Sequence, residues 1–216
     1  MHQHPDYSNL YVSRHPLICD KLTRMRDTQC HKTNFKRFLS EIALLMAYEV
    51  TYDLPLISKS VTTPVSTADL PVLKDEYPVI IPILRAGLGM SNPLEAVIPE
   101  ATVGHIGLYR DEETKKPVEY LVRLPELGNR DVLLVDPMLA TGHSAAYAVK
   151  LLRDAGVSEA RIKIMALVAA PEGIECLHDQ CPDVRVYVAA LDEKLNKKAY
   201  IVPGLGDAGD RLFGTM

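Results

Sequence analysis

The 216-residue chain lacks most of the features that would take it out of the ordinary globular class. Its longest unbroken apolar run, Ile164 to Ala170, has seven residues, against the ~20 that a helix needs to cross a bilayer. The first 15 residues hold His2, His4, Pro5, Asp6 and Arg14 and no apolar core of signal-peptide length, so neither a secretory nor a transmembrane segment is expected, and a cytoplasmic location is. The four cysteines (Cys19, Cys30, Cys176, Cys181) show no C-x-x-C spacing and are expected as reduced, structural thiols, not a disulfide or zinc framework. The histidines show no metal-ligand spacing. Charge is not lopsided: the formal net charge of −4 argues against a general nucleic-acid binder. Repeats, low-complexity tracts and linkers are absent.

Several chemical signatures are missing too. There is no G-x-x-x-x-G-K-[ST] phosphate loop, no G-x-S-x-G nucleophile elbow, and no cysteine in a comparable loop. Gly204, Gly206 and Gly209 do match G-x-G-x-x-G. Only seven residues follow Gly209, however, so the crossover helix, second strand and ribose-binding acid of a dinucleotide fold are not expected.

What is present reads as one α/β domain, 1–216, with extensions. Apolar residues make up 47% and charged residues 24%, the balance of a packed protein. Residues 1–33 are polar and are expected to form an irregular arm. Phe35, Phe38, Leu39, Ile42, Leu45 and Met46 recur at helical spacing and predict an amphipathic helix ending near Val50. Short apolar runs predict buried strands at Val79–Leu84, Val103–Tyr109, Val132–Val135, Ile162–Ala169 and Val184–Ala190. Helical patterns fall between the later ones: Ala145, Ala148, Val149 and Leu152, stopping at Gly156, and residues 172–179. Strand–helix alternation with continuous apolar strands predicts a parallel sheet covered on both faces. The charged stretch 110–117 is expected as a mobile hairpin joining Val103–Tyr109 to Val118–Leu124, and the basic stretch Lys21–Arg37 as a solvated face.

Three loops carry candidate chemistry, and open α/β sheets bind ligands beyond the C-terminal ends of their strands. In Asp131–Ser144, DVLLVDPMLATGHS, an apolar strand ends on Asp136 and turns through Thr141 and Gly142 into a helix. That places a carboxylate, able to accept from hydroxyls, beside backbone amides able to bind a phosphate. In Pro82–Met90, PILRAGLGM, Arg85 follows a strand and suits bidentate pairing with phosphate oxygens, while Gly87 and Gly89 admit close backbone approach. In Tyr200–Asp210, YIVPGLGDAGD, a glycine-rich backbone is suited to wrapping a small planar ligand and reading its donors and acceptors.

Together these loops resemble the uracil phosphoribosyltransferases. Val135-Asp-Pro-Met-Leu-Ala-Thr-Gly142 is similar to that family's phosphoribosyl-pyrophosphate loop, Pro82 to Met90 to its pyrophosphate-side loop, and Tyr200 to Gly209 to its base-binding loop. Val168-Ala-Ala-Pro-Glu-Gly173, Phe213-Gly-Thr215, Tyr109-Arg110 and His15-Pro-Leu17 match in the same order. The resemblance implies a type I phosphoribosyltransferase fold, a central parallel sheet flanked by helices with a hood at 200–216 and a flexible β-hairpin arm. It implies transfer of the phosphoribosyl group from phosphoribosyl pyrophosphate to uracil, giving uridine monophosphate and diphosphate.

Residue by residue, the resemblance implies that Asp136 holds the ribose hydroxyls and that Arg85 and Arg110 bind the pyrophosphate, these three being the catalytic set. The donor's phosphate is expected along Pro137, Met138, Leu139, Ala140, Thr141, Gly142, His143 and Ser144, with the amides and hydroxyls from Ala140 to Ser144 as its cradle. Ile201, Gly206, Asp207 and Ala208 are implied on the uracil side, with Asp207 also near the ribose and the magnesium. Mg²⁺ is implied as a rider on the pyrophosphate with no protein metal cage. Self-association as a homodimer or homotetramer and a purine-nucleotide effector (GTP) are also compatible with the resemblance.

His143 stands where the family usually has Gly, a strained position if φ is positive, although histidine is among the more tolerant types there. Two other readings stand beside the enzyme. One is a nucleotide-sensing RNA-binding regulator on the same fold, which needs a clustered basic face. The other is an enzyme for a purine or for orotate, the latter needing an extra cation beside the base.

Overall fold

The computed structural model describes residues 1–74, 77–110 and 117–215, without the side chain of Arg110. The chain opens with strands β1 (His2–Gln3) and β2 (Leu10–Val12) and helix α1 (Pro16–Arg26). His15 caps α1, its Nδ1 accepting the Leu17 amide at 3.2 Å, and Pro16 takes the first helical position, where no N–H is needed. The segment expected to be irregular is therefore structured. Its polarity misleads because only Ile18, Leu22 and Met25 of α1 are buried, and most of the other positions of that helix are exposed.

Helix α2 (Lys32–Val50) ends where the periodicity predicts and buries Phe35, Phe38, Leu39, Ile42, Met46 and Val50 along one face. Strands β3 (Leu56–Thr62) and β4 (Thr67–Leu73) then pair as a separate antiparallel hairpin, exposed along most of its length. Lacking alternation, and with Pro71 inside β4, this hairpin leaves no clear strand signal.

The body follows. Strand β5 (Val79–Leu84), helix α3 (Leu88–Val97), β6 (Thr102–Val103), β7 (His105–Arg110), β8 (Pro117–Arg123), β9 (Val132–Val135), β10 (Met138–Leu139) and α4 (His143–Asp154) lead to β11 (Ile162–Ala169). Helix α5 (Pro171–Gln180), β12 (Arg185–Leu191), the small hairpin β13 (Lys194–Leu195) and β14 (Ile201–Val202), and α6 (Ala208–Phe213) complete it. The main sheet has the order β1-β2-β12-β11-β9-β5-β7-β8. From β2 to β7 all pairings are parallel, and β1 and β8 run antiparallel at the edges. The hairpin between β7 and β8 exists as expected, but its charged turn, 111–116, lies outside the described residues.

Alternate side chains of the central strands feed two cores. Ile80, Leu133, Val135, Met165 and Leu167 pack with α1, α2, α3 and α6, whereas Ile81, Val132, Leu134, Ile164 and Ala166 pack with α4 and α5. Every position of β11 is buried, as a strand covered on both faces requires. Its one charged residue, Lys163, is fully buried, donates to the Val50 carbonyl at 3.0 Å and pairs with Asp53, which meets the demand that a buried charge be compensated. Among the described residues no helix is long and apolar enough to cross a membrane.

Candidate active site

Parallel pairing brings the C-terminal ends of β7, β5, β9, β11 and β12 to one edge of the sheet. Arg85 follows β5, Asp136 follows β9, Ala170 follows β11, Asp192 follows β12, and Arg110 ends β7. Because Pro82 is in register with Val135, the Arg85 and Asp136 loops leave the sheet side by side. The side chain of Arg110 lies outside the described residues.

Two cavities open at this edge. The first, of about 170 Å³, is lined by Asp136, Met138, Leu139, Ala140, Thr141, Gly142 and Ser144 over a floor that includes Ile83, Leu134 and Ile164. The second, a more open cleft of about 340 Å³, is lined by Ala86, Asp136, Met138, Lys198, Ala199, Tyr200, Asp207, Ala208 and Gly209. Asp136 and Met138 are common to both. The structure thus brings together most of the residues the sequence singles out. Arg85, Pro137, His143, Ile201 and Gly206 fall outside both linings. Arg85 is exposed, with its guanidinium 5.5 Å from the ring centroid of Phe213.

The loop behind Asp136 is fixed by close packing. Gly142 adopts φ 79°, a region that favours glycine, and having no side chain it leaves the first turn of α4 facing the first cavity uncapped. His143 is the first residue of α4, and the one positive-φ non-glycine among the described residues is Ala199. The positive φ therefore falls on Gly142, where it costs little, and not on His143. A Cβ on Gly173, at the start of α5, would come within 2.4 Å of the Ala140 carbonyl and 2.7 Å of the Leu139 carbonyl. Only glycine lets α5 press against the loop this closely.

Asp136 is half-buried, and the Met138 amide, donating to its Oδ1 at 3.4 Å, is a weak partner. Burial therefore pushes its carboxyl up to about 7, and the neighbouring Asp207 carboxylate adds to the rise. The carboxylate that the sequence places at the end of this strand is thus in surroundings that favour its protonated form.

The glycine-rich loop is held from several sides. Gly204 and Gly206 have φ 61° and 79°, and a Cβ on Gly204 would meet the Ile201 carbonyl at 2.1 Å. Asp207 caps the short α6 by accepting the Asp210 amide at 2.9 Å. Asn196 Oδ1 accepts the amides of Lys198 and Tyr200 at 2.8 and 3.0 Å, forming the turn in which Ala199 sits at φ 60°. Arg26 and Asp192, unremarked in the sequence, also reach this loop. Asp192 follows an apolar strand just as Asp136 does, so the same signal was there to be read.

A uracil phosphoribosyltransferase family model matches residues 12–215. The chain belongs to the uracil phosphoribosyltransferase family. It is 56% identical over 215 residues to a uracil phosphoribosyltransferase of Rhodospirillum centenum, covering the whole of both chains. Among solved structures it is similar to the AQ2163 protein of Aquifex aeolicus, with a TM-score of 0.90, 36% identity and coverage of 95% of this chain and 98% of the other. A purine phosphoribosyltransferase of Pyrococcus horikoshii shares the fold at a TM-score of 0.50 and 19% identity, over 72% of this chain and 83% of the other. The family's type I phosphoribosyltransferase architecture is the one described above, a mostly parallel sheet flanked by helices.

Proposed function

We propose that the chain transfers the phosphoribosyl group of phosphoribosyl pyrophosphate to uracil, releasing diphosphate. The observation that carries this reading is the sharing of Asp136 between two cavities. One offers amides and the hydroxyls of Thr141 and Ser144 for a phosphate, the other backbone groups for a flat ring, and the sugar joining phosphate to base must pass the carboxylate that separates them.

In this mechanism Asp136 accepts from the ribose hydroxyls, and its ionised form offsets the positive charge that grows on the sugar as the bond to diphosphate breaks. The start of α4, with Ala140 to Ser144, holds the 5′-phosphate. Arg85 and Arg110 pair with the departing diphosphate. Ile201, Gly206 and Ala208 present backbone donors and acceptors to uracil. Asp136 and Asp207 both line the cleft and carry oxygen donors of the type that suits Mg²⁺; they would lie beside an Mg²⁺ carried on the diphosphate, and the ion would supply neutralisation of the diphosphate's charge. Orienting both reactants in one cleft supplies much of the remaining rate. Self-association goes with this reading, supported by the exposed Leu56, Ile57, Val65 and Leu70 on the β3–β4 hairpin.

The test is incubation with phosphoribosyl pyrophosphate, Mg²⁺ and each of uracil, orotate, adenine, guanine and hypoxanthine. Uridine monophosphate is expected from uracil and little product from the others. Failure to form any monophosphate would favour the nucleotide-sensing regulator. A second test concerns His143. Because it is exposed at the first turn of α4 and the amide survives substitution, His143→Gly is expected to leave the KM for phosphoribosyl pyrophosphate within about twofold. A weakening of tenfold or more, equal to about 1.4 kcal/mol, would instead make the imidazole a phosphate contact.

A further inference from the structure

We infer that Arg26 and Asp192 form a positioning pair that fixes the base-side loop from behind and thereby sets the affinity for uracil without touching it. This rests on the reading of the 201–208 segment as the uracil-binding loop. The pair joins three distant parts of the chain: the last residue of α1, the residue after β12, and the turn after β14. Arg26 Nη1 and Nη2 donate to Asp192 Oδ2 and Oδ1 at 2.8 and 2.6 Å, the two-pronged geometry that only a guanidinium provides. Nη1 also donates to the Gly204 carbonyl at 2.6 Å, and Asp192 Oδ2 accepts the Gly204 amide at 3.0 Å. Both backbone groups of Gly204 are thus committed to one ion pair.

The placement makes this more than general support. The Asp192 side chain is 4% exposed and that of Arg26 20%, so the pair is shielded and its geometry is not exchanged with water. Gly204 has φ 61° and no room for a Cβ, so no side chain can restrain this turn, and the pair restrains its backbone instead. One residue on, the Leu205 carbonyl accepts from Arg211 Nη1 at 2.8 Å, and Arg211 Nη2 in turn donates to the Asp27 carbonyl at 2.7 Å. The turn is therefore tied at two successive residues to the end of α1. Gly206 and Asp207, next in line, are exposed. A ligand read by backbone groups depends on their being held to within a fraction of an ångström, and side chains behind them must provide that. Arg26 lies in a basic stretch in which Lys21 and Arg37 pair with Glu41 of α2 and Arg24 with Asp20 of α1. It alone among these four turns inward to an acid from the far end of the chain.

The experiment compares wild type, Arg26→Lys and Asp192→Asn in steady-state kinetics with both substrates varied, alongside thermal melts and calorimetric binding of phosphoribosyl pyrophosphate. Lysine keeps the charge but cannot bridge both Asp192 oxygens and the Gly204 carbonyl. Asparagine keeps one acceptor oxygen, which can serve the Gly204 amide and Arg26 Nη1 as Oδ2 does, but it puts an NH2 donor opposite Arg26 Nη2 and removes the charge. Arg26→Lys is expected to raise the KM for uracil about tenfold, as small misplacements of binding groups do. Its kcat at saturating uracil and its affinity for phosphoribosyl pyrophosphate should stay within about twofold, and Asp192→Asn should show the same split. If Arg26→Lys does not fold, the same split is read from Asp192→Asn. An unchanged KM for uracil in both, or a parallel loss of affinity for both substrates, would overturn the inference while wild-type synthesis of uridine monophosphate leaves the proposed function standing. A wild type that makes no uridine monophosphate would bring down both.

Discussion

Asp136→Asn is expected to lower kcat/KM for phosphoribosyl pyrophosphate by about two to three orders of magnitude while leaving the fold intact. The magnitude follows from the interactions at stake: two hydrogen bonds from ribose hydroxyls to a charged acceptor, each contributing about 1.5–3 kcal/mol. Asparagine fits the same space and keeps an oxygen for the Met138 amide, so packing around β9 is unaffected. Steady-state kinetics beside a circular dichroism spectrum check this, and wild-type turnover in a folded variant would remove Asp136 from the mechanism.

The same residue makes a prediction of opposite sign for stability. Its carboxyl sits near 7 in the folded protein against an ordinary value of 3.8. Between those values the folded chain keeps a proton that the unfolded chain has released, so stability contributed by this group falls as pH rises from about 4 to about 7. Above 7 the full penalty of a buried, weakly partnered carboxylate is present. Asp136→Asn removes that penalty and is expected to melt a few degrees higher than wild type at pH 8, where about 1 kcal/mol shifts the midpoint by roughly 2–4 °C in a chain of this size. At pH 3.5 the two should coincide. Activity runs the other way: the ionised form is the working one, so wild-type kcat/KM should fall as pH drops below about 7. The 5′-phosphate of the substrate itself titrates near about 6. Asp136→Asn carries the same substrate limb without the enzyme's, so the ratio of the two profiles isolates Asp136.

Gly173→Ala is the second large effect expected, and it touches no ligand. The added methyl would sit 2.4 Å from the Ala140 carbonyl and 2.7 Å from that of Leu139, and backbone on both sides leaves nothing flexible to yield. Either α5 moves away from the sheet edge or the phosphate loop moves into its own cavity. Overpacking of this kind costs about 1–3 kcal/mol of stability, and the displaced amides should raise the KM for phosphoribosyl pyrophosphate at least about tenfold. The KM for uracil, whose loop lies across the cleft, should change much less. A variant with wild-type melting and kinetics would mean that the loop holds its shape independently of α5.

The parts of the fold that the sequence displays are those where one physical pattern dominates. Val79–Leu84, Val132–Val135 and Ile162–Ala169 coincide with their strands, because strands covered on both faces must be apolar throughout. The buried face of α2 is equally visible as a 3.6-residue period. The first thirty residues and the β3–β4 hairpin were harder to see for opposite reasons. In α1 three buried residues are outnumbered by exposed ones, and β2 is three residues long. The β3–β4 strands bury so little that alternation is not required of them. At the site, Asp136, Gly142 and the 200–209 loop stood out because chain direction must change sharply at the end of a strand. The inward turn of Arg26 and the closeness of Gly173 to Ala140 depend on contacts between remote segments, which local pattern does not record.

The most direct test of the central claim is a crystal structure of the protein soaked with phosphoribosyl pyrophosphate and Mg²⁺. The ribose hydroxyls are predicted within hydrogen-bonding reach of Asp136, the 5′-phosphate against Ala140 to Ser144, and the diphosphate toward Arg85. Finding the donor lodged away from this edge of the sheet, for example among Tyr11, Tyr52 and Arg185 at the cavity they line near Glu49, would contradict it.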